Sequence, residues 1–259
     1  KTPVADSKEN IGVSVASGKI MGSITYGSGT AVEGVDVVAL RNGSANDMSS
    51  TRCLNFNGSA LATVTDSESV FQNIFKNGFS YQFWLKIDSR LAGEAEIINA
   101  GTANKLKIAS NGDGTYSLSY QYSPTANVKF SQKLSPDKYY QVTLSRSTAD
   151  ACLTVYKPVD DIMVAESSLQ SCAWNADNCY SATFNIGNSY KGNLDEIRVW
   201  SKALTDEEVA ENYNRVLIGN ENKLEMYYRL DEGLTNMFFD SSRKGSTQNG
   251  RHGFINVNA

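Results

Sequence analysis

The sequence predicts an all-β chain folded as two packed antiparallel sheets, with one short helix at the edge of the sandwich. Three observations carry that reading. From Thr51 to Trp200, short apolar or alternating runs recur between turn residues. No helical period interrupts them. Residues 205–218 alone combine a helix-opening signal with an apolar stripe at 3.6-residue spacing.

Residues 1–10 are polar and read as a linker. Residues 11–49 hold a strand pair, Lys19–Tyr26 and Val35–Leu40, joined through Gly27-Ser-Gly-Thr and closed by Asn42-Gly-Ser-Ala-Asn-Asp. Two strands alone are marginal, so this piece must lean on something else. The main domain, residues 50–259, opens with Arg52–Phe56. Further strands are expected at Ser80–Ile87, Ala95–Ala100, Lys105–Ala109, Tyr116–Tyr122, Val128–Phe130 and Tyr140–Arg146. Cys152–Lys157, Ser181–Ile186 and Leu194–Trp200 complete the series. Asn111-Gly-Asp-Gly-Thr supplies a hairpin turn before the Tyr116 strand.

The helix has its own punctuation. Thr205 caps it, Glu208 completes a capping box, and Leu204 can staple against Val209. Val209, Tyr213, Val216 and Leu217 form the stripe, and Gly219 ends it, predicting three to four turns. Beyond it, Lys223–Leu230 and Gly253–Val257 read as strands, with a loop at Asp240–Ser246.

Composition removes several function classes. A formal charge of -4 without a Lys/Arg cluster disfavours nucleic acid. No apolar run approaches the roughly 20 residues that span a bilayer, so no membrane insertion is expected. The single histidine, His252, leaves little room for a His-rich zinc site or a Ser/His/Asp triad. Cys53, Cys152, Cys172 and Cys179 form no CxxC pair. Cys172 and Cys179 could close a small disulfide, or all four could be buried or loop thiols, so cysteine usage does not fix the compartment. The opening Lys-Thr-Pro-Val lacks both Met and an apolar signal segment, as a mature or trimmed chain would.

The stretch Gly192-Asn-Leu-Asp-Glu-Ile-Arg-Val-Trp-Ser-Lys-Ala-Leu-Thr-Asp-Glu-Glu-Val resembles the closing signature of laminin-G-like jelly rolls in the concanavalin A-like lectin/glucanase superfamily. Leu54-Asn-Phe-Asn-Gly-Ser is similar to an early Phe-Asp-Gly strand, with Asn57 where Asp is usual. Phe79-Ser-Tyr-Gln-Phe-Trp-Leu-Lys is similar to the Phe-Thr-x-x-x-Trp-Val-Lys strand. The three fall in the expected order over residues 50–215 and imply a jelly-roll sandwich. Leu224-Glu-Met-Tyr-Tyr-Arg-Leu-Asp-Glu-Gly, with Asp240-Ser-Ser and Asn249-Gly, resembles the segment that normally opens such a domain. Its place at the C-terminus reads as a permuted arrangement, or alternatively as the start of a truncated second copy.

The resemblance also implies a biology. Such modules occur in tandem in large bacterial surface proteins, joined by small Ig-like pieces that Gly22–Val37 resembles. The implied function is non-catalytic binding of a carbohydrate or glycoprotein, in a secreted or surface-anchored chain that carries further modules. A structural spacer or adhesin segment without a ligand is the alternative. A glycoside hydrolase is disfavoured, because the Glu-x-Asp-x-x-Glu strand that brings two carboxylates to about 5 Å is absent.

Individual residues refine this. Strand alternation places Asp195 in phase with Ile197 and Val199, where an uncompensated charge is expensive. The related glucanases imply a structural calcium there, with carbonyl ligands from around Leu230-Asp231 and Ser50-Thr51; Asp195, Asp231 and Thr51 are the candidate metal residues. The bland alternative is that Asp195 caps a turn at the rim. Tyr116, Leu118, Tyr120 and Tyr122 share a strand face: Tyr120 and Tyr122 could stack on a sugar, although such stripes are more often core. Trp84 carries the same two readings, sugar stacking or core, with core the more usual. Trp174, in the polar loop between Cys172 and Cys179, reads as an exposed aromatic suited to ligand contact or as a loop plug.

Overall fold

The computed structural model describes residues 52–160, 162–172, 180–232, 236–242 and 251–257. The expectations for residues 1–49, Thr51, Trp174 and Cys179 lie outside these. The chain begins with β1 (Leu54–Asn57), β2 (Ala60–Thr65) and α1 (Glu68–Phe75). There follow β3 (Phe79–Ile87), β4 (Glu94–Asn99), β5 (Lys105–Ser110), β6 (Tyr116–Gln121) and β7 (Asn127–Lys129). Next are β8 (Tyr139–Arg146), β9 (Asp150–Val159), β10 (Ile162–Ser171), β11 (Thr183–Asn188) and β12 (Lys191–Trp200). α2 (Asp206–Asn212), β13 (Leu224–Tyr228), β14 (Met237–Phe238) and β15 (Gly253–Val257) complete the order.

Two antiparallel sheets result. A seven-stranded sheet runs β1-β12-β3-β8-β9-β10, with β13 also paired to β12; an eight-stranded sheet runs β14-β15-β2-β11-β4-β5-β6-β7. The C-terminal segment thus gives β13 to the first sheet and β14 and β15 to the second. Alternation decides the core. Phe79, Tyr81, Phe83, Leu85 and Ile87 of β3 all point inward, with Val142 and Leu144 of β8 beside them. They meet Ala62, Val64, Leu106, Ile108, Leu118, Phe184 and Ile186 from the facing sheet. Gly192, the second residue of β12, has φ +143° and a Cβ there would lie 2.1 Å from the Lys86 carbonyl oxygen. Only glycine admits that approach.

The structure departs from expectation at several elements. Helix α1 was not foreseen; its Phe71, Ile74 and Phe75 are buried, and Phe75 packs on Phe79, Tyr81 and Tyr180. β2 and β10 were not foreseen either. β10, at a sheet edge, is mostly exposed and so lacks an apolar phase to read. Cys53, Cys152 and Cys172 are thiols.

The second helix is capped as predicted, with the Thr205–Glu208 box formed both ways. It ends at Asn212, however, well short of Gly219. Arg198 is the cause. Its guanidinium, 1% exposed, donates to the carbonyls of Asn212 (2.6 Å) and Arg215, to Gln82 Oε1 (3.0 Å) and to Glu196 Oε2 (2.8 Å). A side chain from the sheet therefore takes the carbonyl that a further helical turn would have used. The helix also lies on the outer face of the seven-stranded sheet rather than at its edge. There Val209, Leu204 and Leu217 form a second apolar cluster with Trp200, Leu224, Tyr227 and Tyr156. Tyr156 and Tyr213 stack at 3.9 Å with rings 2° from parallel.

This geometry makes Arg198 indispensable to that layer. Its removal would leave Glu196, 2% exposed, without its cationic partner, and with it the Asn212 and Arg215 carbonyls without their guanidinium donor. Arg198→Met is expected to lower unfolding free energy by about 3–5 kcal/mol in urea titrations, the usual cost of breaking a buried pair. A loss below about 1 kcal/mol would show that those carbonyls find other partners.

Candidate binding face and candidate cation site

Asp195 lies at an irregularity in β12. In the pairing with β3, Leu194 faces Leu85 and Asp195 faces Trp84, but the next pair is Arg198 with Gln82. Glu196 and Ile197 together oppose the single residue Phe83, and Glu196 takes φ +52°. This β-bulge overturns the alternation argument. Leu194, Ile197 and Val199 belong to the core, whereas Asp195 pairs across the outer row with Trp84. Asp195 does not share the inward phase; it is buried from the outside.

The same bulge marks a break in the neighbouring edge. β1 pairs with β12 up to Leu54–Leu194, and β13 pairs from Tyr228–Ile197 onward. Asp195 and Glu196 therefore sit where one strand begins and the other ends. Asp195 is 9% exposed and its Oδ1 accepts the Glu196 N–H at 2.9 Å. Burial, reinforced by the Glu196 charge, pushes its carboxyl up to about 8, and Asp231 adds to the rise. Asp231 is half-buried and pairs with Arg229 at 3.4 Å. Among the described residues no group of three or more His, Cys, Asp or Glu is placed to hold a metal. What the site does show is a buried carboxylate whose charge is opposed by those of Glu196 and Asp231.

The sequence-picked aromatics fare differently. Tyr120 is 0% exposed in the core and presents nothing to a surface ligand. Tyr116 is also core, and its hydroxyl donates to the Leu91 carbonyl at 3.0 Å. Tyr122 is half-buried against the core at the end of β6. Trp84 is a correction in the other direction. It points out of the seven-stranded sheet, between Asp195 and Gln141, in the row next to Tyr139, which is 43% exposed.

An extended polar surface covers the outer face of the eight-stranded sheet, and sequence reading missed it. The strand registers align one residue from each strand in a row: Met237, Phe254, Thr63, Asn185, Asn99, Lys105, Gln121 and Asn127. At roughly 4.8 Å per strand it spans about 34 Å. Phe254 is 51% exposed at one end, and the four residues Asn185, Asn99, Lys105 and Gln121 are half-buried. Thr63 donates to Asn185 Oδ1 at 3.0 Å. Glu96, one row over, accepts from Asn99 (2.8 Å), Asn188 (3.1 Å) and Lys105 (2.8 Å). Burial alone would raise the Glu96 carboxyl, but these three donors outweigh it and hold it below the ordinary value. Lys107 pairs with Glu94 at 2.9 Å. Two of the face's lysines are thus matched by carboxylates, and amides dominate the row. Each of these residues occupies the polar phase of its own strand; only the strand order brings those phases side by side.

A family model for laminin-G-like domains, described as the concanavalin A-like lectin/glucanases superfamily, matches residues 56–210. Among curated proteins none matches. Of solved structures, a "putative carbohydrate binding protein" from Bacteroides ovatus aligns with TM-score 0.54 and 18% identity, covering 78% of this chain and 57% of that one. The chain thus spans little more than half of that protein. A SAP-like pentraxin from Limulus polyphemus aligns at 0.43 and 16% identity, covering 61% of this chain and 78% of its own. The binding domain of Botulinum neurotoxin DC, solved with SialylT, aligns at 0.41 and 15% identity, covering 62% and 43%. At these identities the likeness is one of fold.

The Asp195 environment generates a pH dependence. A carboxyl near 8 when folded and near 3.8 when unfolded keeps a proton in the native state that unfolding releases. Stability from this group is therefore full at low pH and falls as pH rises from about 4 to about 8. In chelator-containing buffer the melting temperature should decline across that range, and Asp195→Asn should flatten the decline. Parallel curves for the two proteins would show that Asp195 titrates normally.

Proposed function

This chain belongs to the concanavalin A-like lectin/glucanases superfamily, and we propose that it is a non-catalytic carbohydrate-binding module whose ligand lies across the outer face of the eight-stranded sheet. The row from Phe254 to Gln121 carries this reading. Asn and Gln side chains offer both donor and acceptor, as sugar hydroxyls require. An exposed phenyl ring at one end gives a pyranose face something to stack on. The name of the Bacteroides ovatus protein supports the same class. Turnover is not part of the proposal. A glycosidase needs one carboxyl raised to act as acid and a partner carboxylate across the bond. On this face Glu96 is held low by its donors and Glu94 is paired with Lys107.

The natural ligand in this reading is a glycan chain or the glycan of a glycoprotein, met by a secreted or surface-anchored bacterial protein with further modules. A structural calcium completes it. Asp195 and Asp231 would hold the ion, with backbone carbonyls from the segments flanking the β1–β13 break; Thr51 lies outside the described residues. The ion would neutralise Asp195 and join three chain segments.

Binding is tested on a glycan array followed by titration calorimetry of any hit. Asn99→Ala, Asn185→Ala and Phe254→Ala should each weaken binding, the amides by roughly fivefold for one neutral hydrogen bond. Undiminished affinity in all three would move the ligand off this face. For calcium, an ion present at a hundredfold excess over Kd stabilises the native state by about 2.7 kcal/mol. Chelation should then lower the melting temperature of the wild type and leave Asp195→Ala unmoved; an unmoved wild type would refute the ion.

A further inference from the structure

Both sheets end in edge strands, and one edge differs from the others. β1, β14 and β7, at the other ends of the two strand orders, have four, two and three residues. β10 has ten, and it pairs with β9 from Ile162–Val159 to Ser171–Asp150 without a bulge. A long, flat edge invites pairing with another strand, and proteins usually blunt it with lysine, proline, a bulge or brevity. β10 has none of these. Its one charge, Glu166, is paired with Lys157 of β9. Four of the eight exposed large apolar side chains among the described residues lie on the β9–β10 hairpin: Val159, Ile162, Val164 and Leu169, the last 65% exposed.

The ladder also fixes which backbone groups are free. In an antiparallel pair, successive residues turn their N–H and C=O alternately toward and away from the neighbouring strand. The Gln132 amide nitrogen donates to the carbonyls of both Leu153 (3.0 Å) and Glu166 (3.1 Å). One nitrogen reaches both oxygens only if they lie between β9 and β10. The Cys172 N–H, in the same phase as Glu166, donates to the Ala149 carbonyl at 2.9 Å. The even-numbered residues of β10 therefore bond to β9. Met163, Ala165, Ser167, Leu169 and Ser171 turn their N–H and C=O groups outward, and among the described residues no backbone partner meets them.

We propose that the β10 edge pairs with β10 of a second copy of this chain, antiparallel about a two-fold axis through Ser167. The edge is self-complementary in that register. Ser167 faces Ser167, Ala165 faces Leu169 and Met163 faces Ser171 of the second copy, so every outward residue exchanges both of its bonds. The exposed Leu169 side chain then covers Ala165 of the other copy, with Met163 on the diagonal. Glu166 faces Ser168, whereas an axis through Glu166 would set two like charges directly opposite each other. The two seven-stranded sheets become one. Because the axis stands normal to that sheet, both eight-stranded sheets stay on the same side of it. A strand edge belongs among small interfaces, below roughly 1,200 Å² in total, so the association is reversible and concentration-dependent. This inference stands whether or not the eight-stranded face binds a glycan.

The test is sedimentation equilibrium of the full chain over a concentration series, with backbone amide exchange read residue by residue. A monomer–dimer equilibrium is expected, in which the amides of Met163, Ala165, Ser167, Leu169 and Ser171 gain protection as concentration rises. Two variants probe the edge. Leu169→Lys puts a charge at a position already exposed, and Ala165→Pro removes an outward N–H while sparing the β9 ladder. Each should raise the dimer dissociation constant by about tenfold or more, and Leu169→Lys should keep the wild-type melting temperature at low concentration. A chain that stays monomeric throughout, oligomers larger than a dimer, or a dimer that Leu169→Lys leaves undiminished overturns the proposal. So does protection of those five amides at every dilution, which would mean that a segment of the same chain already covers the edge.

Discussion

The bulge at Glu196 is the constraint from which the rest of the outer architecture follows. One added residue in β12 lets Leu194 and Ile197 both face the core while Asp195 and Arg198 remain paired across the outer row. Without it, Arg198 would fall into the apolar interior. With it, Arg198 reaches Glu196, Gln82, the last carbonyl of the helix at Asn212 and the Arg215 carbonyl beyond it, and the Tyr227 hydroxyl closes the group by donating to Glu196 at 2.5 Å. The buried charges are thereby matched, and the segment after β12 is held flat on the sheet. A bulge also bends its strand, so the break between β1 and β13 coincides with the place where continuous pairing would be hardest.

The two outer faces consequently differ. On the seven-stranded sheet, α2 and the chain after it bring an apolar cluster over Tyr156, Trp200 and Tyr227. The eight-stranded sheet keeps a face of amides and matched charges, with Glu96 as the common acceptor for Asn99, Asn188 and Lys105. Such a surface is held in shape by its own hydrogen bonds, which limits the ordering cost of binding. The ionic groups are matched within the sheet, so recognition there would rest on amides and the Phe254 ring rather than on net charge.

Several errors of sequence reading share one origin. The Asp195 phase argument assumed an unbroken strand, and a bulge has no strong signature in Leu-Asp-Glu-Ile-Arg. Trp84 reads as core by itself, yet its position between Gln82 and Lys86 on an alternating strand places it outward. The Tyr116–Tyr122 stripe was ambiguous by itself. Pairing with β5 puts Tyr120 opposite Leu106, which resolves Tyr120 as core. Helix α2 stopped early because an arginine 14 residues upstream took its carbonyl, a contact that no local periodicity reports.

By itself the sequence determined the sandwich class, most of the strands, the Thr205 cap and the family signature in Gly192–Val209. These depend on alternation, turn chemistry and capping, which act between residues close in the chain. Only the tertiary structure decided which polar phases adjoin, where the bulge turns Asp195 outward, and how the C-terminal strands divide between the sheets. Thr63, Asn185, Asn99, Lys105 and Gln121 come from five strands scattered between residues 60 and 188. Each is an ordinary surface residue in its own segment. A row across a sheet is a property of strand order and register, and those are set by the burial of the opposite faces, which no segment can satisfy alone.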